Sequence, residues 1–330
     1  MTDPMLSWLR RRAVALPARV PGCTRVIRRV RSRCVPIVMY HGVLAEPLPY
    51  TNWCQLSQQR FAEQIAFLAQ HYRVLPLSEV IDRLQRDLPL PEKVAAVTFD
   101  DGFRSVYSTA APILQRYAVP YTVFLVTNVV GSSTTVWPEY LLAALMNTPR
   151  KTVAFSGRDW PLDGVQQRLA AWHKISFELY QMQEERKQAS LHPLMEALGP
   201  ADVANSPFAT MSWENVRELA AGGLADFGSH THTHVILSRC TEQKQREELQ
   251  SSRDVLRERL GKAELFAYPN GLREDFTSLT KGLVKGLGYR CAVTTISGLN
   301  RRGADMYELR RVNVGADTGL NDFELLMLGL

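Results

Sequence analysis

Cysteine is scarce in this 330-residue chain, with five in all at positions 23, 34, 54, 240 and 291 and no C-x-x-C pair among them. An odd, unpaired set excludes a disulfide scaffold and reads as reduced, buried or incidental thiols of a cytoplasmic protein. Long apolar runs are absent too. No window approaches the ~18 apolar residues of a spanning helix. The N-terminus has the positive region of a secretory signal but only Ala13-Val-Ala-Leu16 before Pro17, Arg19 and Pro21, where a signal needs roughly 7–15 apolar residues. The expectation is a chain without signal peptide or transmembrane helix. Acidic residues are missing from one region only: residues 1–33 hold nine arginines and a single acid, Asp3. The remainder is close to neutral, so the pI of about 9.1 describes an arm and not a domain. A nucleic-acid partner is therefore not expected. The arm segment Leu6-Ser-Trp-Leu-Arg-Arg-Arg12 could lie on an anionic membrane face, Trp8 and Leu9 anchoring it peripherally at the inner membrane. A solvated tail is the other reading.

What is present is a rhythm of short apolar strands and helical patterns, the mark of parallel α/β architecture. Strands are expected at Pro36-Ile-Val-Met-Tyr40, Tyr72–Leu75, Val94-Ala-Ala-Val-Thr-Phe99, Tyr121-Thr-Val-Phe-Leu-Val126, Ala225–Gly228, Leu265–Tyr268, Tyr289–Thr294 and Glu308–Val312. Between them, Ser57 caps a helix with Phe61, Ile65 and Leu68 at helical spacing, and a second helix opens near Ser78. Such a series suits an irregular or incomplete (β/α) barrel. The stretch from Thr127 to Met211 is too long for an ordinary crossover. It contains Trp137-Pro-Glu-Tyr140, a hairpin pattern around Lys151–Leu162 and a helical, charged segment from Val165 to Leu198. We read residues 1–34 as the arm and 35–330 as one barrel. Residues 130–210, approximately, form an insertion on its active-site face and not a second domain with its own core.

Two motifs sit at strand ends, where α/β barrels place catalytic groups. Thr98-Phe-Asp-Asp-Gly102 closes the most apolar strand. Adjacent carboxylates repel, and a cation would remove that cost. Gly228-Ser-His-Thr-His-Thr-His234 follows another short strand. A helix there would put His230 and His234, at i and i+4, on one face, the spacing of a two-histidine metal site, with His232 pointing elsewhere. Two imidazoles and one carboxylate leave an open position for water, the composition of a catalytic zinc site. Alone, the first motif is also a turn and the second an exposed polar loop. Together at strand ends they point to a metal centre.

With these motifs the sequence resembles the polysaccharide deacetylases, the NodB-homology or carbohydrate esterase family 4 enzymes. The resemblance rests on T-F-D-D-G, on H-[ST]-x-x-H with Thr231 in the second position, and on Trp213-Glu-Asn-Val-Arg-Glu-Leu-Ala-Ala-Gly-Gly223, similar to the helix before the histidine motif. It spans about residues 35–315 apart from the insertion. It implies a distorted (β/α) barrel of about seven strands and metal-dependent removal of N-acetyl from a hexosamine. Asp100 would be the base, and Asp101, His230 and His234 the ligands of a divalent metal, by composition zinc. A metal acidifies its water and polarises the acyl oxygen, a base takes the water proton, and a departing amine must be protonated by an acid.

The family usually draws that acid from a C-terminal L-x-x-H motif, yet no histidine follows His234 and the nearest text is Leu309-Arg-Arg-Val312. His71, His173 and His192 read as surface. His41 ends a strand in Met39-Tyr-His-Gly-Val43, similar to an element of the exopolysaccharide (poly-N-acetylglucosamine) deacetylase branch, and is the expected general acid. A rim histidine or a substrate hydroxyl contact is the alternative. The family's R-x-P-x-G motif stands here as Ala267-Tyr-Pro-Asn-Gly271, without the arginine that normally pairs with the base. Arg311, at the end of the last strand, is the candidate replacement. Asn270 through its backbone N–H, with Tyr268, is expected at the oxyanion and substrate position, although Pro-Asn-Gly is also a plain turn. Trp53, Trp137 and Trp160 could stack on sugar or simply pack. The expected substrate is an acetylated amino-sugar polysaccharide or lipid-linked glycan precursor of exopolysaccharide or envelope synthesis. An O-acetyl esterase, a deformylase or a silent glycan-binding protein are the alternatives.

Overall fold

A computed structural model describes residues 34–330, so the basic arm through residue 33 lies outside the described residues. The strands are β1 (Ile37–Tyr40), β2 (Gly42–Leu44), β3 (Gln55–Ser57), β4 (Arg73–Val74), β5 (Val94–Phe99), β6 (Tyr121–Leu125), β7 (Thr152–Phe155), β8 (Arg158–Pro161), β9 (Ala225–Ser229), β10 (Leu265–Ala267), β11 (Cys291–Ser297) and β12 (Leu309–Asn313). Seven of them close a ring in the order β1-β12-β11-β10-β9-β6-β5, and β5 returns to β1. Every pair in the ring is parallel, and Ile37 to Tyr40 run in register with Ala96 to Phe99 at the closure. The chain is thus a closed parallel α/β barrel. β4 stays outside the ring: its two residues pair with Val94 and Ala95, and from Ala96 onward β1 takes that edge of β5.

The ring strands alternate between two apolar surroundings, as the two-residue period of a strand requires. Val38, Tyr40, Val97, Phe99, Val123 and Leu125 pack with Phe61, Ile65 and Leu68 of α1 (Gln58–His71). Ile37, Ala96, Phe124, Ala267, Val293 and Leu309 pack with Leu77, Val80, Ile81 and Leu84 of α2 (Leu77–Gln85). The second set decides what the mouth of the barrel contains. Continuing its parity past the strand ends brings His41 after Ile37, Asp100 after Ala96 and Arg311 after Leu309 to one side of the sheet. Because all the ring strands are parallel, these ends also share one face of the molecule.

The helix α3 (Ala111–Arg116) follows a π-helical turn at Val106–Ala110. Residues 127–211 then form α4 (Trp137–Asn147), the antiparallel β7–β8 hairpin, α5 (Val165–Gln181) and α6 (Glu184–Leu198). Trp137, Leu141, Leu145, Val153, Trp160, Ile175 and Leu194 gather there into a hydrophobic cluster, joined to the barrel through Phe103 and Val126. Both ends are stitched to the barrel loops: Thr127 N–H donates to the Thr231 carbonyl and Met211 N–H to that of Gly102. The chain returns through α7 (Trp213–Ala221), whose Ser212 and Asn215 form a capping box, and α8 (Glu242–Leu260), capped by Thr241. α9 (Ser278–Gly286) and α10 (Leu320–Met327) complete the described chain. No helix among the described residues is long and apolar enough to cross a membrane, and Cys34, Cys54, Cys240 and Cys291 are free thiols.

Candidate active site

Asp100 and Asp101 follow β5 directly, and neighbouring residues on an extended chain would face opposite sides. The backbone breaks that rule at Asp101, which adopts φ of +68°, and again at Gly102, at +72°. The two left-handed residues turn Asp101 back over the mouth beside Asp100. The positive φ suits glycine at position 102, where a Cβ would also crowd the Leu125 side-chain end, 2.7 Å from Cδ2.

The histidine segment is not a helix. His230 directly follows β9, and residues 231–236 run as a turn with Thr231 at φ +64° and His234 at +61°. The expected i, i+4 face is therefore replaced by a looped chain that brings the same two imidazoles together, their centroids 5.0 Å apart. Local side-chain bonds to the backbone explain the preference: Thr231 Oγ1 accepts from His234 N–H at 3.0 Å, an alternative to helical bonding that threonine readily supplies. His232 points elsewhere, its Nδ1 2.9 Å from Thr127 Oγ1. His230 Nδ1 donates to the Ala267 carbonyl at 2.8 Å, which leaves Nε2 as the lone-pair nitrogen facing Asp101.

Asp101 Oδ1 lies 3.6 Å from His230 Nε2 and 3.4 Å from His234 Nε2, and it is a buried atom with no hydrogen-bond partner. One donor atom from each of Asp101, His230 and His234 falls within 4.8 Å of the others, all three residues buried. Burial first, then the charges of Glu139 and Asp100, push the Asp101 carboxyl well above the usual carboxylate range. Burial likewise pushes His234 well down. Two imidazoles and an orphaned carboxylate oxygen form a donor set that a divalent cation satisfies. The residues present fit a metal.

Asp100 is treated differently. Arg311 is fully buried, and its guanidinium clamps Asp100 with two bonds of 2.7 Å, Nη1 to Oδ1 and Nη2 to Oδ2. Its Nε donates to the Thr294 carbonyl at 2.7 Å, which fixes the fork against β11. Burial pushes Asp100 upward, but Arg311 and then His230 outweigh it and hold the carboxyl far below its usual range. Two adjacent aspartates are thus driven in opposite directions, Asp100 against its burial by the guanidinium fork that it alone receives, and Asp101 by burial and the acidic neighbours Glu139 and Asp100. His41 is buried against the exposed ring of Trp53, centroids 4.8 Å apart. Burial pushes its imidazole down to about 4, with Asp100 pulling upward and Arg311 and His230 downward.

Asn270 takes a left-handed conformation (φ +58°) in a Pro-Asn-Gly turn bonded to Thr295, and its own N–H donates to no acceptor among the described residues. Tyr268 is not brought to the cluster. Its ring stacks on Phe276 at 4.4 Å and its hydroxyl donates to the Tyr307 carbonyl, because the side chain at this position follows the outward parity into the core. Trp137 and Trp160 are buried in the insertion's cluster, whereas Trp53 is open to solvent. His71, His173 and His192 are exposed.

The insertion contributes a residue that carried no functional signal, Glu139, an acid in the first turn of an otherwise apolar helix. Its carboxyl is buried, and burial, opposed by its own backbone N–H, pushes it up to about 7. A carboxyl raised in the folded state favours folding less as pH climbs from about 4.3, its unfolded value, to the folded value. In the metal-free protein Glu139→Gln should therefore raise the thermal midpoint at pH 8 and leave it unchanged at pH 4. A midpoint equal to the parent's at pH 8 would contradict this.

The sequence model of the family described as polysaccharide deacetylase matches residues 87–292, more than half of the chain. A Bacillus subtilis (strain 168) protein, YxkH, provisionally named a polysaccharide deacetylase, is 22% identical over 306 residues, spanning 92% of this chain and 80% of that one. A poly-beta-1,6-N-acetyl-D-glucosamine N-deacetylase of Staphylococcus epidermidis is 34% identical over a shorter stretch of 79 residues, 24% of this chain and 27% of its own. Among solved structures, the Streptococcus pyogenes deacetylase PplD in complex with acetate superposes with a TM-score of 0.60 at 19% identity, over 89% of this chain and 98% of that one. At that identity the likeness is one of fold.

Proposed function

Because the chain belongs to the polysaccharide deacetylase family of carbon–nitrogen hydrolases, we propose that it removes N-acetyl groups from an amino-sugar-containing polysaccharide or lipid-linked glycan precursor in exopolysaccharide or envelope synthesis. The observation that carries this reading is the pairing of two unlike aspartates, Asp101 beside His230 and His234, and Asp100 held ionised by Arg311. Asp101, His230 and His234 would hold a divalent metal, which we take to be zinc. When bound, it supplies a polarised acyl oxygen and an acidified water at neutral pH.

The chain's own groups do the rest. Asp100, ionised and oriented by Arg311, takes the proton of the attacking water. The Asn270 N–H, without an acceptor among the described residues, donates to the oxygen on which charge develops. His41 hands a proton to the departing amine. Burial pushes its imidazole down to about 4, and Asp100 is the neighbour that favours the protonated donor form. Trp53, edge-on to His41 and exposed, is placed to cover an apolar sugar face. Residues 1–34 we assign as a separate basic address for an anionic membrane face on the cytoplasmic side, and 35–330 as the catalytic body with its insertion. Val35 enters at the amino end of β1, the end of the barrel opposite His41.

Mass spectrometry of acetate released from a panel of N- and O-acetylated amino-sugar glycans, with zinc-loaded and metal-stripped protein, tests the proposal. Release from N-acetylated glycan that needs metal and is lost in Asp100→Asn is expected. No bound metal together with unchanged activity in Asp100→Asn would overturn it, and release from O-acetyl groups alone would make the chain an esterase.

A further inference from the structure

The loop that carries the two histidine ligands has four consecutive backbone N–H groups, from Thr231 to His234, and each is held by a side chain. Thr231 N–H donates to Ser229 Oγ at 3.3 Å and His234 N–H to Thr231 Oγ1. The two between them converge on one atom, Glu248 Oε2, at 3.0 Å from His232 N and 2.8 Å from Thr233 N. Successive amides converging on one anionic oxygen form a backbone nest. The other carboxylate oxygen of Glu248 accepts from Thr233 Oγ1 at 2.8 Å, and Lys244 is its countercharge at 2.9 Å. One turn further along α8, Ser252 lies 2.7 Å from Ser229 Oγ, the group that holds Thr231 N–H. Glu248 and Ser252 are both buried, four residues apart, and so share one face of the helix.

We propose that this Glu248–Ser252 face of α8 is a clamp that holds the left-handed metal loop in its ligating conformation, with Glu248 as a positioning residue for His230 and His234. The loop has two residues in a region that side chains disfavour, and its backbone bonds to the neighbouring segment run only through its carbonyls, which accept from Thr127 and Asn128 N–H, so its own N–H groups are left to side chains. Charge-assisted bonds from one buried carboxylate supply what regular structure does not. The clamp touches neither metal ligand's ring, so its effect is on where the imidazoles stand. Partners bonded directly to a ligand typically change metal affinity by roughly 10–100-fold, and a clamp that acts through the loop backbone is expected at the lower end of that range.

The inference rests on the metal reading of Asp101, His230 and His234, and the test separates the two. Full-length metal-stripped protein is titrated with Co2+, following its visible absorption bands and the thermal midpoint of the metal-free form. Glu248→Gln should bind Co2+ about 10-fold more weakly, with an altered band shape, and Thr233→Val, which leaves the carboxylate in place, should lose a smaller part. Leu256→Ala, buried on the same helix but packed in a cluster that includes no residue of the loop, controls for plain destabilisation and should keep the parent's affinity and bands. Parent affinity in Glu248→Gln, or an equal loss in Leu256→Ala at a matched midpoint, would overturn the clamp. If Glu248→Gln does not fold, Thr233→Val decides, and parent affinity there overturns it. A parent chain that takes up no Co2+ overturns the metal reading and the clamp together.

Discussion

Arg311→Met should cost roughly 3–5 kcal/mol of folding stability, because it strips the partner from a carboxylate that has no solvent to turn to. Asp100 and Arg311 are both fully enclosed, and their two 2.7 Å bonds are the main compensation for taking both charges out of water. The direction of the pH dependence follows from the same pair. In the parent chain Asp100 titrates far below its unfolded value of about 3.9. Its contribution is then fully present above that value and is lost only as pH falls through the lower folded one. Without Arg311 the balance reverses. Burial, the largest influence on Asp100, is then opposed only by His230 and His41, so the carboxyl moves up and the variant loses stability as pH rises through the ordinary carboxylate range. The gap between parent and variant should widen from pH 3 to pH 7 in urea unfolding series. Adding Asp100→Asn should return much of the loss at pH 7, but not the part due to Thr294, whose carbonyl loses the Arg311 Nε bond. A single variant within about 1 kcal/mol of the parent at pH 7 would show that the pair is not the constraint described.

The barrel was legible because its strands are uninterrupted apolar runs with chemistry at their ends: parity within β5 alone carries Asp100 to the side of Ala96 and Thr98. Arg311 could be named by subtraction, as a cation missing from Ala267-Tyr-Pro-Asn-Gly271, and the structure places it on Asp100. The conformation of the histidine loop was not legible. Spacing of four is shared by a helix and by a turn, and beside the local Thr231 bond the turn is held by Glu248, sixteen positions from His232 and on another element. Glu139 was hidden for a related reason. A lone acid at a helix start reads as a surface residue favouring the helix dipole, and only the packing of the insertion buries it. Tyr268 shows the reverse error, a motif residue whose neighbours matter but whose own side chain faces Phe276.

His41→Ala should lower N-acetyl hydrolysis by roughly 10²–10⁴-fold, the usual worth of a positioned acid, while changing cleavage of an activated aryl acetate by less than about tenfold. The two substrates differ in what must leave. An amine departs only when protonated, whereas an aryl oxide leaves as the anion, so removing the proton donor should divide them. The rest of the machinery is untouched by this change: Asp101, His230 and His234 keep their places, and Asp100 keeps Arg311. Metal content and unfolding midpoint should therefore stay near the parent's, which separates a lost donor from a damaged site. His41 is the only histidine besides His230 and His234 whose imidazole is coupled to Asp100 among the described residues. Trp53→Ala gives the contrast on the same side chain's flank. It should raise KM for a glycan and leave the amide-to-ester ratio alone, because it removes a surface against His41 without removing the proton. Equal loss on amide and aryl acetate in His41→Ala would assign the residue to orienting substrate, and unchanged amide cleavage would remove it from the reaction.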